Sequence, residues 1–304
     1  MDPLVFGLIA LAAVMHVTWN VIVKTAGDPL RAATVGNVAA ALVMAPVAAV
    51  GWWVTGRPTI PTEALLLGAA SGLVQGTYLL TLSEAYARGG LSLVYPLARG
   101  SGTLLAVVLG VVVLGERLGA GGYLGVALLL VGLLALQRPW RLVALLRRVG
   151  ASQALAGSAV PWALGTGSLI AVYSAIDRTG SRLVEPWFYA GLLWTGMAAT
   201  LLVALRIRAR MGIVAGPALS GDGRRLAVVG GLMALATYFM ILVAYRLAPL
   251  TAVVPLRESA VVLASAWGAL RLGEATGRRE IAGRLAASVV IVGGAVLLAL
   301  SRAG

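Results

Sequence analysis

Ten long apolar runs, separated by connections of a few to about twenty residues, occupy nearly all of this 304-residue chain. A run of about twenty apolar residues, rising 1.5 Å per residue as a helix, matches the ~30 Å hydrocarbon core of a bilayer. Inside hydrocarbon every backbone N–H and C=O needs a partner within the protein, so the runs are expected to be helices. The spacing predicts spans at 4 to 23, 32 to 53, 64 to 86, 91 to 114, 122 to 136, 151 to 176, 186 to 205, 226 to 245, 250 to 270 and 281 to 300. No stretch remains for a separate soluble domain, so the expected fold is an all-α integral membrane protein of ten transmembrane helices. Composition points the same way: 12% of residues are charged, against about 25% in soluble domains.

The first run, Leu4 to Val23, has no basic leader and no small-residue cleavage site, so it reads as a retained helix rather than a secretory signal. With no cysteine, disulfides, thiolate metal sites and cysteine nucleophiles are excluded. One histidine and no His-Glu-x-x-His motif leave no metal constellation to propose, and no phosphate-cradling loop of the ATPase type is present. The reading is therefore of a protein that is not an enzyme and has no cofactor.

The net charge of +13 would point to nucleic acid in a soluble protein, but here it reads as topology. Loops after odd-numbered spans hold 15 of the 24 basic residues, with Arg284 one turn inside the tenth span on the same side, and the opposite side holds 6. That bias places the loops holding Arg138 to Arg148 and Arg206 to Arg225 in the cytoplasm and both termini outside, in a plasma membrane of the bacterial inner-membrane kind. The expected partners are the lipid bilayer and a small-molecule substrate, not nucleic acid.

Laying Ala85 to Leu97 on Ala244 to Leu256, an offset of 159 residues, gives six identities: Ala85/Ala244, Tyr86/Tyr245, Leu91/Leu250, Val94/Val253, Pro96/Pro255 and Leu97/Leu256. Further on, Leu114-Gly115-Glu116 matches Leu272-Gly273-Glu274, and Gly125 matches Gly283. Each half holds five spans, an odd number, so the second half enters the membrane in the opposite sense. Inverted repeats of this kind characterise secondary transporters, with the substrate site near the midplane between the halves. The expected organisation is a first five-helix repeat over 1–140, a basic loop over 141–152 and a second repeat over 153–304.

The segment Val94-Tyr95-Pro96-Leu97-Ala98-Arg99-Gly100, the segment Pro255-Leu256-Arg257-Glu258-Ser259 and the two Leu-Gly-Glu endings resemble the EamA type of the drug/metabolite transporter superfamily over essentially the whole chain. The resemblance implies five plus five inverted helices around a central cavity and alternating access. Implied substrates include amino acids, other metabolites, choline-like cations and nucleotide sugars. The Pro-Leu-Ala-Arg-Gly and Pro-Leu-Arg-Glu pair also resembles a branch associated with phosphonate utilisation.

The repeat sets Arg99 opposite Glu258, each about eight residues, or roughly 12 Å, into its span. A charge at that depth costs ~2.5 to 3.5 kcal/mol on insertion scales, so function is the default reading and a static clasp between the halves the alternative. Arg257 brings that cluster to a formal +1, suited to a carboxylate or phosphonate. Gln75 and Tyr78 share one face of the third helix, with Tyr238 near the equivalent place in the second half. Trp19 and Asn20 form a polar and aromatic patch with His16, Trp19 aligns approximately with Tyr173, and Tyr95 belongs to the Pro96 motif. The expected substrate-binding residues are thus Trp19, Asn20, Gln75, Tyr78, Tyr95, Arg99, Tyr173, Tyr238, Arg257 and Glu258. Pro96 and Pro255 are candidate hinges. Glu84 is a candidate for proton coupling or an interfacial charge. Glu116 and Glu274 are placed to meet the first amides of the next helix, and Gly68, Gly72 and Gly76 to permit close packing.

The expected function is secondary-active or facilitative transport of a small polar metabolite bearing a carboxylate or phosphonate, such as an amino acid, by a monomer or homodimer. Export of quaternary ammonium compounds through an aromatic cage of Trp19, Tyr78, Trp162, Tyr173 and Tyr238 is the alternative. A channel or a non-transporting scaffold is the alternative from another class.

Overall fold

A computed structural model describes residues 2–25, 28–88, 91–137, 159–212, 218–258 and 278–301. Among them are ten helices: α1 Pro3–Thr25, α2 Pro29–Val54, α3 Thr62–Arg88, α4 Leu91–Val112, α5 Ala120–Gln137, α6 Ala159–Leu183, α7 Pro186–Arg210, α8 Gly221–Leu247, α9 Leu250–Glu258 and α10 Arg278–Leu300. The expected inter-repeat loop at 141–152, and the part of the ninth span beyond Glu258, lie outside the described residues.

Five helices (α2, α3, α6, α7 and α8) are long and apolar enough to cross a membrane, and shorter apolar stretches occur in α1, α4, α5 and α10. Large apolar side chains face outward, Leu42, Val112 and Val289 each being more than 70% exposed. That surface suits lipid and not water. The protein is thus an all-α, multi-pass fold of membrane character.

Helix starts follow local chemistry. Asp28 Oδ1 accepts from Arg31 N at 2.7 Å ahead of Pro29, and Ser220 Oγ accepts from Gly223 N at 3.0 Å. Both satisfy amides that a first turn leaves open. Helix α6 runs to Leu183, seven residues past the end expected at 176. Asp177 and Arg178 look like loop residues in sequence, but Asp177 finds partners on other helices and Arg178 pairs with Glu116 in the connection after α4, so both remain inside.

Neighbouring helices meet through glycines. The places where Gly68, Gly72 and Gly76 lack side chains are filled by Leu192, Gly196 and Thr200 of α7, so α3 and α7 run parallel in contact. Gly36 packs on Ala227 and Gly231, with Ala32 clustered by Ala227 before it and Met44 beside Leu235 after it, so α2 and α8 are parallel too. Conversely, Gly51 on Trp187 and Gly191 on Ala48 make α2 and α7 antiparallel, as Gly125 on Leu298 and Gly132 on Ile291 do for α5 and α10. Helix α6 packs antiparallel to α3, with Thr166 on Thr81 and Asp177 on Gln75, and lies beside α4.

A Cβ at Gly72 would lie 2.8 Å from Gly196 Cα, backbone that cannot swing aside. Gly72→Val is therefore expected to destabilise by about 1 to 3 kcal/mol, the usual range for overpacking. Gly7→Ala, with open space around it, should leave the melting temperature in detergent near wild type. Equal melting temperatures for the two variants would contradict this packing.

Candidate functional site

Six of the ten side chains expected to bind substrate line one cavity. Its wall includes Gln75 and Tyr78 of α3, Arg99 of α4, Tyr173 of α6, Tyr238 of α8 and Arg257 of α9, with His16 of α1 and Asn37 of α2. Empty space there amounts to about 770 Å³, its mouth included. Trp194 and Met197 of α7 and Thr237 of α8 complete the polar and apolar sides.

Both arginines are buried, Arg99 at 7% and Arg257 at 5% exposure. Arg99 Nη2 lies 2.8 Å from His16 Nε2. A guanidinium only donates, so His16 Nε2 accepts and the ring carries its hydrogen on Nδ1. Arg257 lines the same cavity as Arg99 and Tyr173. Positive charge concentrated in a low-dielectric wall favours an anionic ligand group.

Three tyrosines line the same cavity. Tyr173 is edge-on to Tyr78, ring centroids 5.7 Å apart at 69°, and to Tyr238, 6.2 Å at 70°. Edge contacts of this kind fix ring orientation. Behind this group lies Asp177, fully buried. Its carboxylate accepts from Gln75 Nε2 at 3.0 Å, from Tyr189 Oη at 2.9 Å and from Tyr238 Oη. Asp177 thereby joins α3, α7 and α8 to α6 and holds two of the cavity's hydrogen-bonding groups, Gln75 and Tyr238, in place. Sequence reasoning does not find it, nor Tyr189, Asn37 and Trp194. An acid one residue beyond an expected span is the only signal.

No family model matches the chain. No curated protein matches it either. A solved structure known only as "Crystal structure of protein" is similar over 98% of this chain and 96% of its own length, with a TM-score of 0.67 and 19% identity. At that identity the likeness shows a shared fold and nothing about activity.

Other sequence-marked positions fall elsewhere. Glu84 lies outside the cavity near the end of α3, paired with Arg88 of its own helix and Arg208 of α7. Pro255 is buried inside α9 without lining the cavity. Trp162 lies beneath Arg88, whose guanidinium carbon is 4.7 Å from the ring centroid, and is not among the lining residues. The backbones of Trp19 and Asn20 fall in α1, of Tyr95 and Pro96 in α4 and of Glu258 in α9, but their side chains lie outside the described part, as does Glu274 entirely.

Proposed function

We propose that this chain is a carrier of the drug/metabolite transporter type that moves a small polar metabolite bearing a carboxylate or phosphonate, such as an amino acid, by alternating access between two inverted five-helix halves. The observation that carries the reading is the pair of buried arginines, one from each half, in a wall shared with three tyrosines.

The helix packing supports the inverted arrangement. Shifting each helix by five positions converts the parallel α3/α7 contact into the parallel α8/α2 contact, and the α3/α6 pairing into α8/α1. The α2/α7 and α5/α10 pairs map onto themselves, antiparallel, as a twofold axis in the membrane plane requires. Two guanidinium groups supply planar, paired donors to one carboxylate or phosphonate, and the tyrosines, Gln75 and Asn37 supply hydrogen bonds to the rest of the molecule.

The aromatic-cage alternative is disfavoured by the same wall. Tyr78, Tyr173 and Tyr238 do converge, but Arg99 and Arg257 share the space and would repel a quaternary ammonium group.

A thermal-shift panel on the detergent-solubilised protein tests the preference. Alanine and 2-aminoethylphosphonate, at a hundredfold excess over Kd, are expected to stabilise by about 2.7 kcal/mol, read as a rise of several degrees. Stabilisation by choline alone would reverse the assignment of charge.

A further inference from the structure

One carboxylate outside the cavity makes contacts its position as a helix-end residue does not require. Glu116 follows α4 after Gly115, whose φ of +64° is a left-handed conformation that glycine adopts freely. That turn, closed by Glu116 N donating to Gly110 O at 2.9 Å, sends the side chain back across the bundle end and not toward α5.

There Glu116 Oε1 accepts from Leu250 N at 2.6 Å, and Oε2 accepts from Thr251 N at 2.9 Å. These are the first two amides of α9, the helix that carries Arg257. Arg178 Nε of α6 donates to the same carboxylate at 3.2 Å. A single side chain therefore ties the end of α4, the body of α6 and the start of α9, using charge-assisted bonds and the positive helix end.

Between this tie and the cavity lie buried layers. Arg178 adjoins Asp177, Ser174 one turn back is fully buried, and α9 is buried from Leu250 to Arg257. On the opposite side the cavity wall reaches Ala32 and Ala33, within a turn of the start of α2 at Pro29. Among the described residues the side where α9 begins is filled by buried side chains, and the cavity extends toward the other.

We propose that Glu116 is the latch that shuts the cavity toward the face where α9 begins, and that its release from the α9 amides and Arg178 is the step that opens that face. The proposal rests on the carrier reading, since a protein with one fixed cavity has no use for a latch. Among the described residues Arg178 meets Glu116 through Nε at 3.2 Å and its Nη1 is buried without a hydrogen-bond partner, a single-donor pairing and not the two-donor fork that holds most firmly. A permanent cap and a latch share these contacts, but only a latch opens one face and closes the other when they are lost.

The absence of cysteine allows that difference to be read by thiol labelling. Ser174→Cys reports on the shut side and Ala33→Cys on the opposite side. In each background, Glu116→Ala is compared with Glu116 by the rate of maleimide labelling in detergent. Glu116→Ala is expected to raise labelling of the Ser174→Cys protein at least about tenfold, as loss of charge-assisted bonds shifts the equilibrium, and to lower labelling of the Ala33→Cys protein. Arg178→Ala should act in the same direction with smaller effect. Unchanged rates at both positions would show a static cap, and rises at both would show local unfolding. Either overturns the latch. Failure of the carrier reading itself would appear separately, as absence of solute exchange by wild-type protein in liposomes.

Discussion

Arg257→Ala is expected to abolish measurable exchange of the anion-bearing substrate while the protein remains folded and monodisperse. Arg257 is 95% buried in the cavity wall and belongs to a helix otherwise apolar over Leu250 to Leu256 apart from Thr251. A hydrogen bond to a charged group contributes about 1.5 to 3 kcal/mol, equivalent to roughly 10 to 150-fold in affinity. A guanidinium making two such bonds sits at the upper end of that range. Arg99→Ala should show the same sign, with an added effect on His16, which loses the donor to its Nε2. Arg257→Lys keeps the charge but not the planar fork, so it should recover only part of the affinity. Retention of wild-type exchange by both alanine variants, measured at substrate concentrations near half-saturation, would remove the arginine pair from the site.

The second large effect belongs to Asp177. Removing its carboxylate in Asp177→Ala orphans the Tyr238 hydroxyl and half-orphans two buried donors, leaving the Gln75 amide with Ser71 Oγ at 3.1 Å and the Tyr189 hydroxyl with Leu67 O at 3.4 Å. Each orphaned group costs about 1 to 3 kcal/mol, so a loss of several kcal/mol is expected, enough to lower the melting temperature by roughly 10 °C or more. Asp177→Asn should fall between this and wild type, because one amide oxygen replaces two carboxylate oxygens and the NH2 faces donors. Tyr189→Phe, which removes a single donor, should be mildest of the three. A melting temperature for Asp177→Ala within a degree or two of wild type would contradict the network. Loss of the same acceptor also frees Gln75 and Tyr238, so substrate affinity should fall with stability.

How far these features are legible in the sequence depends on whether their cause is local. Helix existence is a local matter, since twenty apolar residues can satisfy their backbone only as a helix. The identities between the two segments fall at positions of equal burial: Ala85 and Ala244 are both fully buried, as are Val94 and Val253. Depth is legible as well, and Gln75, Tyr78, Arg99, Tyr173, Tyr238 and Arg257 stand out because polar groups are expensive there. Asp177 escapes because its partners are 12, 61 and 102 residues away in sequence, and no window containing it shows them. For Glu116 the sequence indicates a helix-end role, which is correct in kind, but which helix start it meets is set by the fold: α9, 134 residues away, and not the following α5. Glu84 illustrates the converse. Its place one turn inside a span allows a coupling role or an interfacial one, and Arg208, which pairs with it, comes from α7, 124 residues on.

The central claim, that the cavity is a carrier site for an anion-bearing metabolite, is tested most directly by counterflow in proteoliposomes. Vesicles loaded with unlabelled alanine or 2-aminoethylphosphonate are diluted into the radiolabelled solute, with choline as the comparison. A carrier with the Arg99 and Arg257 wall predicts saturable uptake accelerated by internal substrate for an anion-bearing solute, lost in Arg257→Ala, and none for choline. Exchange of choline alone, or wild-type vesicles that exchange neither anion-bearing solute, would contradict it.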